Sequence, residues 1–203
     1  MPCKPLILAF DTSAAHCAAA LLSGDRILAE RLEEMARGQA ERLFPLLEDI
    51  LHEGGATWAD LDAIGVGIGP GNFTGIRISV AAARGLALSL NAPAIGVSSL
   101  ESQAEGFARP VISLVDARRG HLYAQRLTTQ GGQAPQILPE EEARALSGAP
   151  FVGPTSGQNP TPAIARIAAE RLAQGDPQPR PAPLYIRAAD AAPPRDPAPV
   201  ILP

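Results

Sequence analysis

Cysteine is scarce: Cys3 and Cys17 are the only two in 203 residues, and they form neither a CxxC motif nor a disulfide framework. That scarcity points to a reducing compartment, the cytoplasm. A basic excess is also missing. Seventeen Lys and Arg against 21 Asp and Glu leave a net charge of -4, with no general attraction for nucleic acid or acidic membranes. Contact with RNA would therefore be local or through a partner. The opening MPCKPLILAFDTS has only a short apolar run, broken at Asp11, which does not read as a signal peptide. Later apolar stretches read as too short, or too rich in Gly and Arg, to span a bilayer. His16, His52 and His121 are isolated, with no HxxH or HxxxH, which argues against a histidine metal site and suggests surface or cap positions. GxSxG is absent around Ser79, Ser98 and Ser99, and neither GxGxxG nor GxxxxGK[ST] occurs. No internal repeat is visible.

What the chain does have is apolar bulk, 46% against 19% charged residues, in a length that suits one domain or two small ones. Its organising stretch is Gly65 to Leu90. A buried strand from Ala63 to Ile68 runs into Gly69-Pro70-Gly71, and Asn72 or Thr74 then offers an N-cap for a helix that stops at Asn91. At 100° per residue, Ile76, Val80, Ala83, Leu86, Ala87 and Leu90 form a core stripe. Ile78, Ala81, Ala82, Gly85 and Ser89 form a second face, small or apolar, with Arg77 and Arg84 on the edge between. Two apolar faces imply burial on both sides, either under a second layer of the same domain or under a protein partner.

The rest of the chain supplies a sheet for that helix. Leu6–Phe10, Cys17–Leu22 and Arg26–Leu32 read as a meander turning at Ser23-Gly24-Asp25. Ala40–Glu53 is an amphipathic helix with Pro45 inside it, and Thr57-x-x-Asp60 resembles a capping box. Strands follow at Pro93–Val97, Val111–Val115 and His121–Leu127, with a helix over Ser99–Gly106. Weaker patterns suggest helices at Glu140–Ser147 and Pro162–Gln174 around a short strand at Phe151-Val152. Nine of the last 27 residues are proline, so the tail from Pro177 reads as extended or unstructured, except where Pro183–Arg187 could dock. A meander followed by alternating helices and strands fits a mixed α/β sheet of the ribonuclease-H type better than an all-parallel dinucleotide-binding fold.

The chemistry that could sit on this frame is sparse. Asp11-Thr12-Ser13 at the first bend can aim hydroxyls and N–H groups at a phosphate, or satisfy its own backbone as an Asx or ST turn. Taken alone, the second reading is the better one. The N-terminus of the central helix, at Thr74, could hold an anion. Asp11 and Asp116 both end strands, a place for carboxylates around a metal-bound nucleotide and equally an ordinary turn position. Gly153–Gly157 is a faint adenosine-site candidate. No catalytic centre emerges.

Three motifs in order, ILAFDTS at Ile7–Ser13, GPGNFTGIRI at Gly69–Ile78 with its continuation AAARGLAL, and DARRGHLYA at Asp116–Ala124, resemble the TsaB family, the non-catalytic dimerisation subunits of bacterial tRNA threonylcarbamoyladenosine synthase. The match covers Leu6 to about Leu127, with a fainter echo at PLYIR. The resemblance implies an actin/sugar-kinase-like (ASKHA) fold of two ribonuclease-H-like lobes, 1–106 and a reduced 107–176, followed by a tail over 177–203. In the related catalytic subunit TsaD, the strand equivalent to Pro93–Val97 is followed by HMEGH, whose histidines bind the metal. Here those positions are Ser99 and Gln103, which implies no bound metal, no transfer chemistry and no peptidase activity. The family's helical contact with TsaD would map to Phe73, Thr74, Arg77, Ile78, Ala81, Ala82, Arg84, Gly85 and Ser89, with the Ala40–Glu53 helix alongside. The resemblance further implies a ternary complex with the ATPase TsaE, ATP or ADP near the subunit junction, a nucleotide contact at Asp11, Thr12 and Ser13, tRNA reached only through the complex, and a homodimer of the chain when alone. The contrasting reading is a small ASKHA ATPase or kinase acting by itself.

Overall fold

The computed structural model describes residues 4–155, 157–175 and 177–186. Cys3 and residues 187–203 of the tail lie outside that range. Strands β1 (Leu6–Asp11), β2 (His16–Ser23), β3 (Arg26–Glu34), β4 (Ala63–Gly67) and β5 (Ala94–Val97) form one sheet in the order β3-β2-β1-β4-β5. The meander strands pair antiparallel, whereas β1, β4 and β5 pair parallel. This is the mixed sheet that the strand and helix patterns predict. One face is covered by α1 (Gln39–Glu53) and α2 (Phe73–Leu90), which bury Leu43, Leu46, Leu47, Ile50, Ile76, Val80 and Ala83. Each such leucine, isoleucine or valine side chain is worth about 1.5–3 kcal/mol of transfer free energy, and together they outweigh the roughly 3 kcal/mol that Pro45 costs inside α1.

The second sheet is smaller. It joins β6 (Val111–Asp116), β7 (His121–Thr128), β8 (Gly131–Gly132) and β10 (Phe151–Val152) in the order β10-β6-β7-β8, with β9 (Gln136–Pro139) also pairing with β7. The two short strands β8 and β9 have no counterpart in the sequence reading, because two glycines and a four-residue run carry no period to detect. Helix α3 (Ser99–Gln103) is shorter than expected, and α4 (Glu140–Ala145) covers part of the second sheet.

One element sits elsewhere than its sequence position suggests. Helix α5 (Thr161–Gln174), assigned above to the reduced lobe, packs on the far face of the first sheet. Ile164, Ala165 and Ala168 meet Ile7, Ala9, Leu22, Ala63, Ile95 and Val97 there. Apolar strands β1, β4 and β5 need cover on both faces, and α5 supplies the second cover. Helix α2 is also long and apolar enough to cross a bilayer by length and mean hydropathy, 1.2 over its 18 residues, contrary to the expectation from its Gly and Arg content. Its buried stripe is spent on the sheet instead.

Candidate interaction surface and inter-lobe cleft

The connection from β4 into α2 is built against the first bend of the chain. Gly69 has φ +86°, a conformation that glycine adopts without strain. Gly75 lies so close to the bend that a side-chain carbon there would collide with the Thr12 carbonyl. The glycines thus permit a sharp turn and close packing rather than a phosphate cradle. Asn72 caps the helix, its Oδ1 accepting from the N–H groups of Thr74 and Gly75 at 3.0 Å each. Thr12 Oγ1 donates to the Gly75 carbonyl at 2.7 Å, and Asn72 N–H donates to the Ser13 carbonyl. The anion site considered at Thr74 therefore has its N–H groups already taken.

Asp11 lies at the bottom of a cleft of about 1480 Å³ between the two sheets, and is 1% exposed. Its Oδ1 accepts from Ser13 N–H (3.0 Å) and Ser13 Oγ (2.9 Å), and His16 Nε2 lies 2.7 Å away. This is an Asx turn, the self-satisfying alternative for the bend. His16 is no surface or cap residue: the bend folds it back onto the buried carboxylate. Asp11 Oδ2 has no hydrogen-bond partner and sits above Gly67, where a side-chain carbon would collide with it. Across the cleft, Asp116 accepts from Arg118 N–H at 2.7 Å, in a hairpin turn whose Arg118 and Arg119 both have positive φ.

These residues do not fit a nucleotide phosphate. The Thr12 hydroxyl and the nearby N–H donors are spent on the protein, and an unpaired carboxylate oxygen at the cleft floor repels an anion. Metal ligation finds no better support: among the described residues no three His, Cys, Asp or Glu side chains cluster as a ligand set.

The two positions matched to metal ligands have other partners. Ser99 Oγ donates to the Pro70 carbonyl at 3.1 Å, and Ser99 N–H to the Gly69 carbonyl at 2.8 Å, bracing the turn before α2. Gln103 Nε2 lies against Ser113 Oγ (3.1 Å), the Leu114 carbonyl (2.6 Å) and the Val152 carbonyl (3.2 Å). Its Oε1 accepts from Thr155 N–H (3.0 Å) and Oγ1 (2.9 Å). Thr155 thus ties this segment to α3, and a side-chain carbon at Gly153 would collide with the Gln103 amide, so within the faint adenosine candidate at Gly153–Gly157 these two residues have structural explanations; residue 156 lies outside the described residues. Glu101 completes the capping box of α3 with Ser98 and is paired with Arg171 of α5.

The face of α2 that points away from the sheet is open. Among the described residues no second layer of sheet or helix covers it, and only the tail contacts its N-terminal end. Thr74, Ala81, Arg84, Gly85 and Ser89 are exposed, and a side-chain carbon added at Gly85 meets nothing within 4 Å. Two members of the proposed set lie elsewhere: Ile78 and Ala82 are half-buried against the core on the α1 side. Leu88, 79% exposed, is the residue that a search for small side chains passes over. Phe73 and Arg77 are engaged by the tail. The Arg77 guanidinium lies 3.6 Å from the Phe73 ring centroid, its Nε donates to Tyr185 Oη at 2.8 Å, and the two rings are 5.4 Å apart. Leu184 N–H donates to the Ile68 carbonyl at 2.9 Å, so the part of Pro183–Arg187 that the structure describes is docked.

Charges elsewhere have structural explanations. Arg42 binds the Glu33 carboxylate through Nε and Nη2, both at 2.7 Å, and reaches Asp49, tying β3 to α1. That bond holds the Glu33 carboxyl below its ordinary value and Arg42 above its own. Burial, with the charge of Glu33 adding to it, pushes the Cys17 thiol up to about 11.

The comparisons agree with this geometry. Residues 27–178 match the family model for TsaD, tRNA N6-adenosine threonylcarbamoyltransferase. The tRNA threonylcarbamoyladenosine biosynthesis protein TsaB of Escherichia coli is 39% identical over 122 residues, 58% of this chain and 52% of that protein. The chain thus spans about half the length of that relative. An uncharacterized Mycobacterium tuberculosis protein is 34% identical over 205 residues, covering 92% of this chain and 94% of its own. Among solved structures, a Pseudomonas aeruginosa protein described as similar to peptidase YeaZ superposes with a TM-score of 0.75 at 26% identity, over 90% of this chain and all of that one. With three quarters of its length inside the family model, and a mixed α/β fold that superposes on the YeaZ-like structure, the chain belongs to the TsaD family and is TsaB-like within it.

Proposed function

We propose that this protein is a scaffold subunit of a tRNA threonylcarbamoyladenosine synthase. It binds a TsaD subunit through the open face of α2 and holds it in its transfer-competent form, in the cytoplasm, while the partner carries out the transfer to tRNA. One observation carries the reading: an 18-residue helix packed on the first sheet keeps Thr74, Ala81, Gly85, Leu88 and Ser89 exposed on its outer face, beyond the tail contacts at Phe73 and Arg77. The substitution of both metal-ligand positions by Ser99 and Gln103, each committed to protein hydrogen bonds, supports a non-catalytic role. The cleft chemistry above favours placing any ATP or ADP at the subunit junction, with TsaE, rather than at Asp11, Thr12 and Ser13.

Co-expression of the tagged chain with TsaD of the same organism, followed by size-exclusion chromatography with light scattering, tests the proposal. A one-to-one complex is expected. Two separate peaks refute it. ATP turnover by the isolated chain that disappears in Asp11→Ala would instead establish the independent ATPase.

A further inference from the structure

The strap formed by residues 177–186 does more than rest on the first lobe. It leaves α5 and borders a groove of about 480 Å³ in which Pro177, Arg180 and Pro181 face Arg84, Ala87 and Leu88 of α2. Farther on, Tyr185 stacks beside Phe73 and bonds Arg77 near the start of the helix. The strap therefore follows the arginine edge of α2 from the C-terminal to the N-terminal half of the helix.

The charge along this edge is of one sign. Neither α2 nor segment 177–186 contains an Asp or Glu, yet together they carry Arg77, Arg84 and Arg180 in a chain whose net charge is -4. Arg77 is committed to Tyr185 and Phe73. Arg84 and Arg180 are exposed and form no ion pair with any described residue. Along this edge the exposed side chains of Leu88 at one end and Phe73 with Tyr185 at the other add apolar area to arginine and tyrosine, two residue types that concentrate at binding hot spots.

We infer that the strap and α2 form one docking surface whose occupant is a different chain presenting an apolar face edged by carboxylates. This rests on the heteromeric reading above and specifies the chemistry of that partner. A second copy of this chain fits less well: in an antiparallel face-to-face pairing of two α2 helices, the arginine edge of one lies along that of the other, and like charges repel.

The test is the R84E/R180E double variant and, separately, Tyr185→Ala, each titrated against the co-expressed TsaD partner at low and moderate salt. Neither arginine has an ion-pair partner to lose among the described residues, so the double variant is expected to keep wild-type thermal stability. The expected result is at least about tenfold weaker binding for R84E/R180E, with loss of most of the salt dependence, and weaker binding for Tyr185→Ala. Wild-type affinity in R84E/R180E overturns the inference and leaves the heterodimer standing. Failure of the wild-type chain to bind removes the heterodimer and the inference with it. A wild-type homodimer that competes with the partner and is unaffected by R84E/R180E also overturns it.

Discussion

Gly85→Arg separates the fold of this chain from its assembly, because the two should respond with opposite signs. Gly85 lies within α2, its added side-chain carbon would meet nothing within 4 Å, and its φ is not left-handed. Arginine is a better helix former than glycine by roughly 0.8 kcal/mol, so the isolated protein should gain stability. For a domain of this size that corresponds to a rise in Tm of about 2–3 °C. In a close helix–helix contact the same side chain would bring an unpaired charge into an apolar seam, away from the Arg77 and Arg84 edge. Leaving a charge uncompensated there costs about 3–5 kcal/mol, or a loss of at least about a hundredfold in affinity. Differential scanning calorimetry on the isolated protein and titration with TsaD would read the two effects. A fall in Tm would mean that the α2 face is not open. A raised Tm with unchanged affinity would mean that partners bind elsewhere.

Other predictions concern the frame behind that face. Thr12→Val should lower unfolding free energy by about 0.5–1.5 kcal/mol in urea, because the Gly75 carbonyl loses its 2.7 Å side-chain partner while keeping its place in the helical ladder. Gln103→Ala should cost more than Thr12→Val, since it removes the two amide N–H donors shared among Ser113, Leu114 and Val152 and the oxygen that accepts from Thr155; equal or smaller cost in the same urea titration would show that these bonds do not hold the sheets together. In a Cys3→Ala background, Cys17 should not react with a disulfide reagent at pH 8 until the protein unfolds, its thiol being buried and raised to about 11. Because the folded thiol titrates above its unfolded value, this group's contribution to stability is complete below the ordinary thiol range and is lost as pH climbs toward 11.

Much of the first lobe was legible from pattern alone. The apolar runs of β1, β2 and β4, the leucine spacing of α1 and the glycine–proline punctuation before α2 each have a single sensible local reading. Placement in space was less legible. The α5 pattern marks a helix with one apolar stripe but says nothing of which sheet receives it. The helical wheel finds two apolar faces on α2, and only the fold shows that one of them stays open. At the candidate site, Asp11 reads as a strand-end carboxylate in sequence. Its contact with His16 depends on the curl of a four-residue bend, which no periodicity records. The direction of the Thr12 and Ser13 hydroxyls, inward to the Gly75 carbonyl and the Asp11 carboxylate rather than outward to a ligand, was equally beyond the reach of spacing. Leu88 was missed for a different reason: smallness was the criterion, and the side chain at the middle of the open face is large.

The tail also bears on solubility. Strand β5 is the last strand of the first sheet, and an unprotected edge invites a strand from another molecule to add to it. Here Arg171 donates to the Gly96 carbonyl, and Pro181, which has no N–H of its own to offer, is buried nearby. A proline-rich segment is thereby well suited to the place it occupies, shielding a sheet edge while offering few donors to an incoming chain. Cutting the chain after α5 would remove that shield, and the shortened protein would be prone to edge-to-edge aggregation even with its core intact.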